Sequence, residues 1–221
     1  MTPELTTMYD TIHDDAAHIP DTAAKAAGYV TGTPDIQWTG ADWARLPRSG
    51  KVRVDQSAAG TEYEAGRADV YDMEQLAGTA ARFAELAAAR HRRGEGNCGY
   101  GSHITLAQAA NELDGFKGLP AGWWHGTGAW LADPSLSAAE AAAFVGTVQY
   151  GGFLIRAVQW ATPRSNPTLS VPGGTLAALN LDLSIADAAW FPAPQDGKPP
   201  TWQAQALAQA RALTAFLEKH Q

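Results

Sequence analysis

The sequence predicts an α/β fold: a compact TIM-like (β/α)8 barrel with trimmed connections, followed by a C-terminal amphipathic helix. Three observations carry that expectation. Eight short apolar segments, most of four to eight residues, return along the chain between Gly, Asp and Pro boundaries. Helical patterns alternate with them, and strand–helix alternation defines the α/β class. Several of the apolar segments also end in an acidic or amide residue, which is where an α/β barrel places its working groups. An open doubly wound sheet is the alternative arrangement of the same alternation. Eight strands within about 185 residues favour a closed barrel, although about 250 residues is typical of one.

The candidate strands are LTTMYD (5–10), AAGYV (26–30), KVRVD (51–55), ADVYDME (68–74), NCGYGS (97–102), AWLAD (129–133), FLIRAVQW (153–160) and LNLDLSI (179–185). Between them, residues 76–93 place Leu76, Ala80, Phe83 and Leu86 on one helical face. Arginines fill that helix's last turns, where the dipole favours cations. Residues 104–113 and 41–46 read as shorter helices, and Ser137 with Glu140 forms a capping box ahead of another. The gap from Asp55 to Asp69 leaves room for little or no helix. Residues 192–200 (PAPQDGKPP) are a Pro/Gly spacer that separates a barrel over 1–191 from a helix over 201–221. That helix carries Trp202, Leu213, Phe216 and Leu217 near one side, with Thr201 as its N-cap candidate. It folds back on the barrel or joins a second copy or a particle.

Composition narrows the function. Sixteen basic against 23 acidic residues give a net charge of −7, the wrong sign for a phosphate-binding face, so no nucleic acid is expected. The single cysteine, Cys98, excludes an internal disulfide and a cysteine-rich zinc module. No stretch reaches 18 apolar residues, so no membrane span is expected. The N-terminus MTPELTTMYD lacks a basic region followed by an apolar run. The expected route is therefore cytoplasmic synthesis, with release by lysis or delivery in a phage-like particle. Neither a P-loop nor a dinucleotide fingerprint is present, and the six histidines show no zinc-protease pattern; no cofactor or metal is expected.

The sharpest local signal is Asp72-Met73-Glu74. Residues two apart in a strand face the same side, which aims both carboxylates at one place. Paired carboxylates drive their pKa values apart, and the one that keeps its proton becomes a general acid. Glycosidic bond hydrolysis needs such an acid. The competing reading makes Asp72 a helix cap and leaves Glu74 solvated. Asp10 and Asp182, at the first and last candidate strands, become neighbours if the barrel closes; Asp55 and Asp133 are weaker extras. Eight tryptophans are an unusual share, and indole faces beside an acidic pit suit sugar rings. At least one of Trp124, Trp130 and Trp160 is therefore expected in the groove, although tryptophans also pack cores. Tyr29, Tyr100, Asp133 and Gln159 complete the candidate substrate-binding set. Cys98 and His103 do not read as a thiol-enzyme pair, because the histidine lies beyond the strand's end.

Read in order, Tyr9-Asp10, Ala27-Gly28-Tyr29, Lys51-Val52-Arg53-Val54, Ala68-Asp69-Val70-Tyr71-Asp72-Met73-Glu74, Trp130-Leu131-Ala132-Asp133, Val158-Gln159-Trp160 and Leu181-Asp182-Leu183-Ser184 form one series. It resembles the lysozyme-like barrels of family 25 glycoside hydrolases, and more closely the short glycoside-hydrolase-like domains of actinobacteria and their phages. The resemblance covers residues 8–191 and departs from the family at the first strand, which reads Met8-Tyr9-Asp10-Thr11-Ile12 in place of Gly-Ile-Asp-Val-Ser. It implies cleavage of the β-1,4 bond of peptidoglycan after N-acetylmuramic acid, without a cofactor. Glu74 would be the general acid, Asp72 would orient the substrate's N-acetyl group, and Asp10 and Asp182 would be supporting aspartates. The alternative function is a non-catalytic barrel that binds carbohydrate or serves as a phage or assembly module.

Overall fold

In the computed structural model, residues 3–46, 50–74 and 79–190 are described. Leu5–Asp10 (β1), Lys25–Tyr29 (β2), Lys51–Asp55 (β3), Val70–Asp72 (β4), Cys98–Ser102 (β5) and Gly128–Ala132 (β6) follow one another as parallel neighbours. A two-residue strand, Val148–Gln149 (β7), precedes Phe153–Ala161 (β8), which pairs parallel with β6. Ser170–Val171 (β9) and Gly174–Thr175 (β10) form a small separate hairpin. Asp182–Asp187 (β11) closes the ring by pairing antiparallel with both β1 and β8. The result is a closed, mixed eight-stranded barrel of β1 to β6, β8 and β11, flanked by helices. All eight candidate strands overlap barrel strands.

The expected all-parallel (β/α)8 arrangement is corrected at the last strand. A parallel return needs a crossover that carries the chain to the opposite end of the barrel, usually on a helix. Between β8 and β11 stand only the β9–β10 hairpin and a one-turn helix, Leu176–Leu179, so the chain re-enters at the end it left. β11 therefore runs backwards. Its first residue, Asp182, sits directly across from Asp10, the last residue of β1.

The other connections are short, as their lengths require. A 3-10 helix (His13–His18) links β1 to β2, and Gly40–Ala44 (α1) links β2 to β3. A single turn, Thr61–Glu64 (α2), bridges the tight gap after β3. Ala80–Arg92 (α3) and His103–Asp114 (α4) are the two long helices, N-capped by Thr79 and Ser102. Ala138–Phe144 (α5) opens on the Ser137–Glu140 capping box. The Pro/Gly spacer and the helix expected over 201–221 lie outside the described residues, as do Leu76 and its neighbours.

Strand alternation sorts the core into an inside and an outside. Met8, Ala27, Val54, Val70, Cys98, Trp130 and Ala157 meet inside the barrel. Tyr71, Met73, Ala129, Leu131 and Ile155 face outward and pack on α2, α3, α4 and α5. Tyr9, Ala26 and Leu183 do the same beneath the 3-10 helix and α1. At the end opposite the Asp10–Asp182 pair, the buried Lys25 ammonium donates to the Trp190 carbonyl at 2.5 Å. Arg156 pairs with Asp187 at 2.8 Å.

Close packing of the β2–β3 connection on the barrel depends on glycine at position 28. A Cβ on Gly28 would stand 2.2 Å from the Trp38 indole, whose N–H is fixed on the Thr11 carbonyl at 2.9 Å. Gly28→Ala is expected to destabilise the fold by about 1–3 kcal/mol through overpacking. Urea titration should show a lower midpoint at unchanged slope.

Candidate functional site

The inward face of six of the strands carries a polar residue beyond or beside the apolar layer, and those residues form the barrel mouth. Two positions past Met8 is Asp10; past Ala27, Tyr29; past Val70, Asp72; past Cys98, Tyr100; past Ala157, Gln159. Asp182 joins from β11, two positions ahead of Ser184. Period-two alternation thus brings three carboxylates, two phenols and an amide to one end of the barrel.

Asp10 and Asp182 face each other across an antiparallel pair, where side chains stand about 4.5–5.5 Å apart at Cβ and like charges repel. Burial, followed by the nearby Asp182 and Asp72 carboxylates, pushes the Asp10 carboxyl well above its ordinary range. Burial raises Asp182 to about 7, partly opposed by the Gln159 amide, which donates to its Oδ2 at 2.6 Å. The Tyr100 hydroxyl donates to Gln159 Oε1, so phenol, amide and carboxylate form one chain. Tyr29 and Tyr100 are likewise pushed up, first by burial and then by the surrounding aspartates. A pocket of about 100 Å³, open to solvent, is lined by Asp10, Thr11, Ile12, Tyr29, Asn180 and Asp182.

Asp72 is fully buried, and its Oδ1 accepts the Glu74 backbone N–H at 2.8 Å. This bond turns the chain at the strand end and lifts Glu74 to the exposed rim, where its carboxylate accepts the Ser102 backbone N–H. The two carboxylates therefore occupy different environments, one sealed and one solvated.

The remaining candidates separate. Trp130 is buried one layer below the mouth, packed on Tyr100 with ring centroids 4.7 Å apart; its N–H donates to Ser184 Oγ at 3.0 Å. Trp124 is buried outside the barrel, held by Asp114 at 2.7 Å. Trp160 follows the inward Gln159 and so faces outward, against the outer layers. The expectation of an indole from this trio in the groove is thus corrected, because alternation and helix packing claim all three. Asp55 is also removed from the mouth: its oxygens accept Thr31, Ser57 and the Tyr63 N–H and hold the α2 turn. Cys98 is buried, its thiol pushed well up by desolvation, in keeping with an inert side chain.

Asp133 leaves the substrate-binding set for a different reason. Its carboxylate is occupied by His103 Nε2 and by the Ser135 hydroxyl at 2.5 Å. Burial pushes this carboxyl up, but the His103 and Ser135 hydrogen bonds outweigh it and hold it below its usual range. The other ring nitrogen of His103 meets the Tyr150 hydroxyl. A carboxylate can only accept, so Nε2 carries the proton and, in the neutral ring, Nδ1 accepts from Tyr150. Sequence reasoning missed this triad and the pocket residues Thr11 and Asn180. The signal for His103 and Asp133 was available: each directly follows one of two adjacent parallel strands.

Among the described residues no three His, Cys, Asp or Glu side chains converge in a metal-binding group. Comparison with family models, with curated proteins and with solved structures finds no match to this chain.

Raised carboxyl pKa values link stability to pH. The folded state keeps protons on Asp182 and Asp10 that the unfolded chain releases near pH 4. Their contribution is therefore full below about pH 4 and is lost as pH rises, for Asp182 through about 7. Asp182→Asn is expected to flatten this decline, read as chemical stability measured at stepped pH.

Proposed function

We propose that the protein is a glycoside hydrolase acting on a β-1,4-linked amino-sugar polymer of the peptidoglycan type, as its motif series resembles. The observation that carries this reading is the division of labour at the mouth. A solvated carboxylate, Glu74, stands at the rim and a buried one, Asp72, two residues before it, at a mouth whose Asp10 and Asp182 side holds an open acidic pocket. Glycosidases work by such pairs, in which environment separates the roles of two carboxyl groups.

In this mechanism Glu74 delivers a proton to the leaving glycosidic oxygen. It is the carboxyl of the pair that a polymer lying across the mouth can reach. Asp72 is sealed beneath the rim and acts on Glu74, whose backbone N–H it accepts, while the substrate's own N-acetyl group attacks the anomeric carbon, so no enzyme nucleophile is needed. Water then opens the resulting ring, with Glu74 taking back a proton. Tyr100 and Gln159 supply hydrogen-bonding groups along the floor, and Asp10 and Asp182 set its charge.

One arrangement favours the second reading, a non-catalytic carbohydrate-binding or assembly barrel. The Ser102 N–H already engages Glu74, and Trp124, Trp130 and Trp160, of which the sequence predicts at least one in the groove, are packed elsewhere. Purified protein incubated with peptidoglycan decides between them. The hydrolase reading expects new reducing ends, with Glu74→Gln lowering kcat by about 10²–10⁴-fold while leaving the unfolding transition unchanged. Binding without release of reducing ends at any pH between about 4 and 8 would leave the non-catalytic barrel standing.

A further inference from the structure

The pocket between Asp10 and Asp182 is lined by two carboxyl groups and by no cationic side chain. Asp10 is only 4% exposed, yet its Oδ1 has no hydrogen-bond partner among the described residues. The Thr11 backbone N–H serves the Asp10 carboxyl, but two further donors close by are spent elsewhere. The Thr11 hydroxyl donates to the Asn180 carbonyl at 2.9 Å, and the Asn180 amide turns away to Asp15 at 2.7 Å. Gln159 serves the opposite side of the site, on Asp182 Oδ2. No lysine or arginine among the described residues forms an ion pair with Asp10 or Asp182. A buried carboxylate oxygen without a partner is costly, and the cost is relieved by a ligand that brings donors and positive charge.

We propose that this pocket is a subsite for a primary ammonium, the free 2-amino group of a glucosamine unit in a β-1,4-linked glycan, held between Asp10 and Asp182. The carrier rests on the amino-sugar reading above; the charge preference rests on the pocket alone. An ammonium has three donors and no acceptor, the complement of a carboxyl-rich lining in which the Thr11 hydroxyl and the Asn180 amide are already engaged. A neutral N-acetyl group offers one N–H and adds a further acceptor beside two carboxyl groups. The pocket lies on the Asp10, Ile12 and Asn180 side of the mouth, and neither Asp72 nor Glu74 lines it. The ammonium would thus occupy a position beside the sugar whose bond is cut, not that sugar itself.

The groups facing the pair are Asp72, Tyr29, Tyr100 and Gln159, none of them cationic. An ammonium favours the ionised carboxyls, so its binding expels protons. Affinity should rise as pH climbs toward about 7 and fall again once the sugar amine is neutral.

Calorimetry with β-1,4-glucosamine oligomers and their fully N-acetylated counterparts tests the assignment. The free-amine oligomer is expected to bind about tenfold or more tightly near pH 6, with proton release seen as a dependence of the heat on buffer ionisation. Asp10→Asn and Asp182→Asn should each weaken the free-amine oligomer more than the N-acetylated one, so that the ratio of the two affinities falls toward one. Equal affinities in the unsubstituted protein would overturn the proposal even if both variants failed to fold. So would stoichiometric binding of Mg²⁺, Ca²⁺ or Zn²⁺ that both variants abolish. The outcomes are separable from those of the hydrolase reading. Cleavage of N-acetylated polymer without an amine preference defeats the subsite alone, and amine-selective binding without cleavage defeats the hydrolase alone.

Discussion

The mouth of this barrel is organised by one unfavourable contact, the opposition of Asp10 and Asp182 in the closing strand pair. Burial disfavours ionisation of both carboxyls, and for Asp10 the neighbouring Asp182 and Asp72 charges add to it; the protein answers with retained protons and a hydrogen-bonded chain from Tyr100 through Gln159. The phenols of Tyr29 and Tyr100 inherit the same negative surroundings. The site is therefore an acidic, proton-storing cavity whose charge state changes near neutrality. Any ligand or reaction it serves is coupled to pH through that pair.

Such a strained arrangement needs a rigid frame. Immediately beneath the mouth, Met8, Ala27, Val54, Val70, Cys98, Trp130 and Ala157 fill the barrel. The Trp130 N–H is satisfied by Ser184, so the largest side chain in the layer is also anchored. Outside, α3 and α4 hold β4, β5 and β6 through Tyr71, Phe83, Leu106 and Leu131. The two rim groups nearest these helices, Glu74 and His103, are fixed through the turn that begins α4: Ser102 caps the helix and offers its N–H to Glu74. Helix capping and site geometry share the same residue.

Much of the barrel was legible from local pattern. Short Val-, Tyr- and Leu-rich runs between glycines and aspartates marked all eight barrel strands, and Ser137 with Glu140 marked the start of α5. Asp10, Asp72 and Gln159 reach the mouth as the strand ends predicted, and Tyr29 and Tyr100 join them. The tryptophans did not, because an indole's preference for sugar faces and for cores cannot be separated without knowing the strand's phase. Trp160 faces outward only because Gln159 faces inward. Asp133 looked like a free strand-end carboxylate because its partners, His103 and Ser135, are brought to it by the barrel and by a turn.

The sequence by itself determined the alternation of strands and helices, the inward placement of polar residues at strand ends, and the acidic character of the mouth. Those follow from the two-residue period of a strand and from side-chain chemistry, which are local properties. Only the tertiary structure decided that the last strand runs backwards, because direction depends on the end of the barrel at which a connection returns. That reversal sets Asp182 against Asp10, and it gives the mouth its central charge conflict.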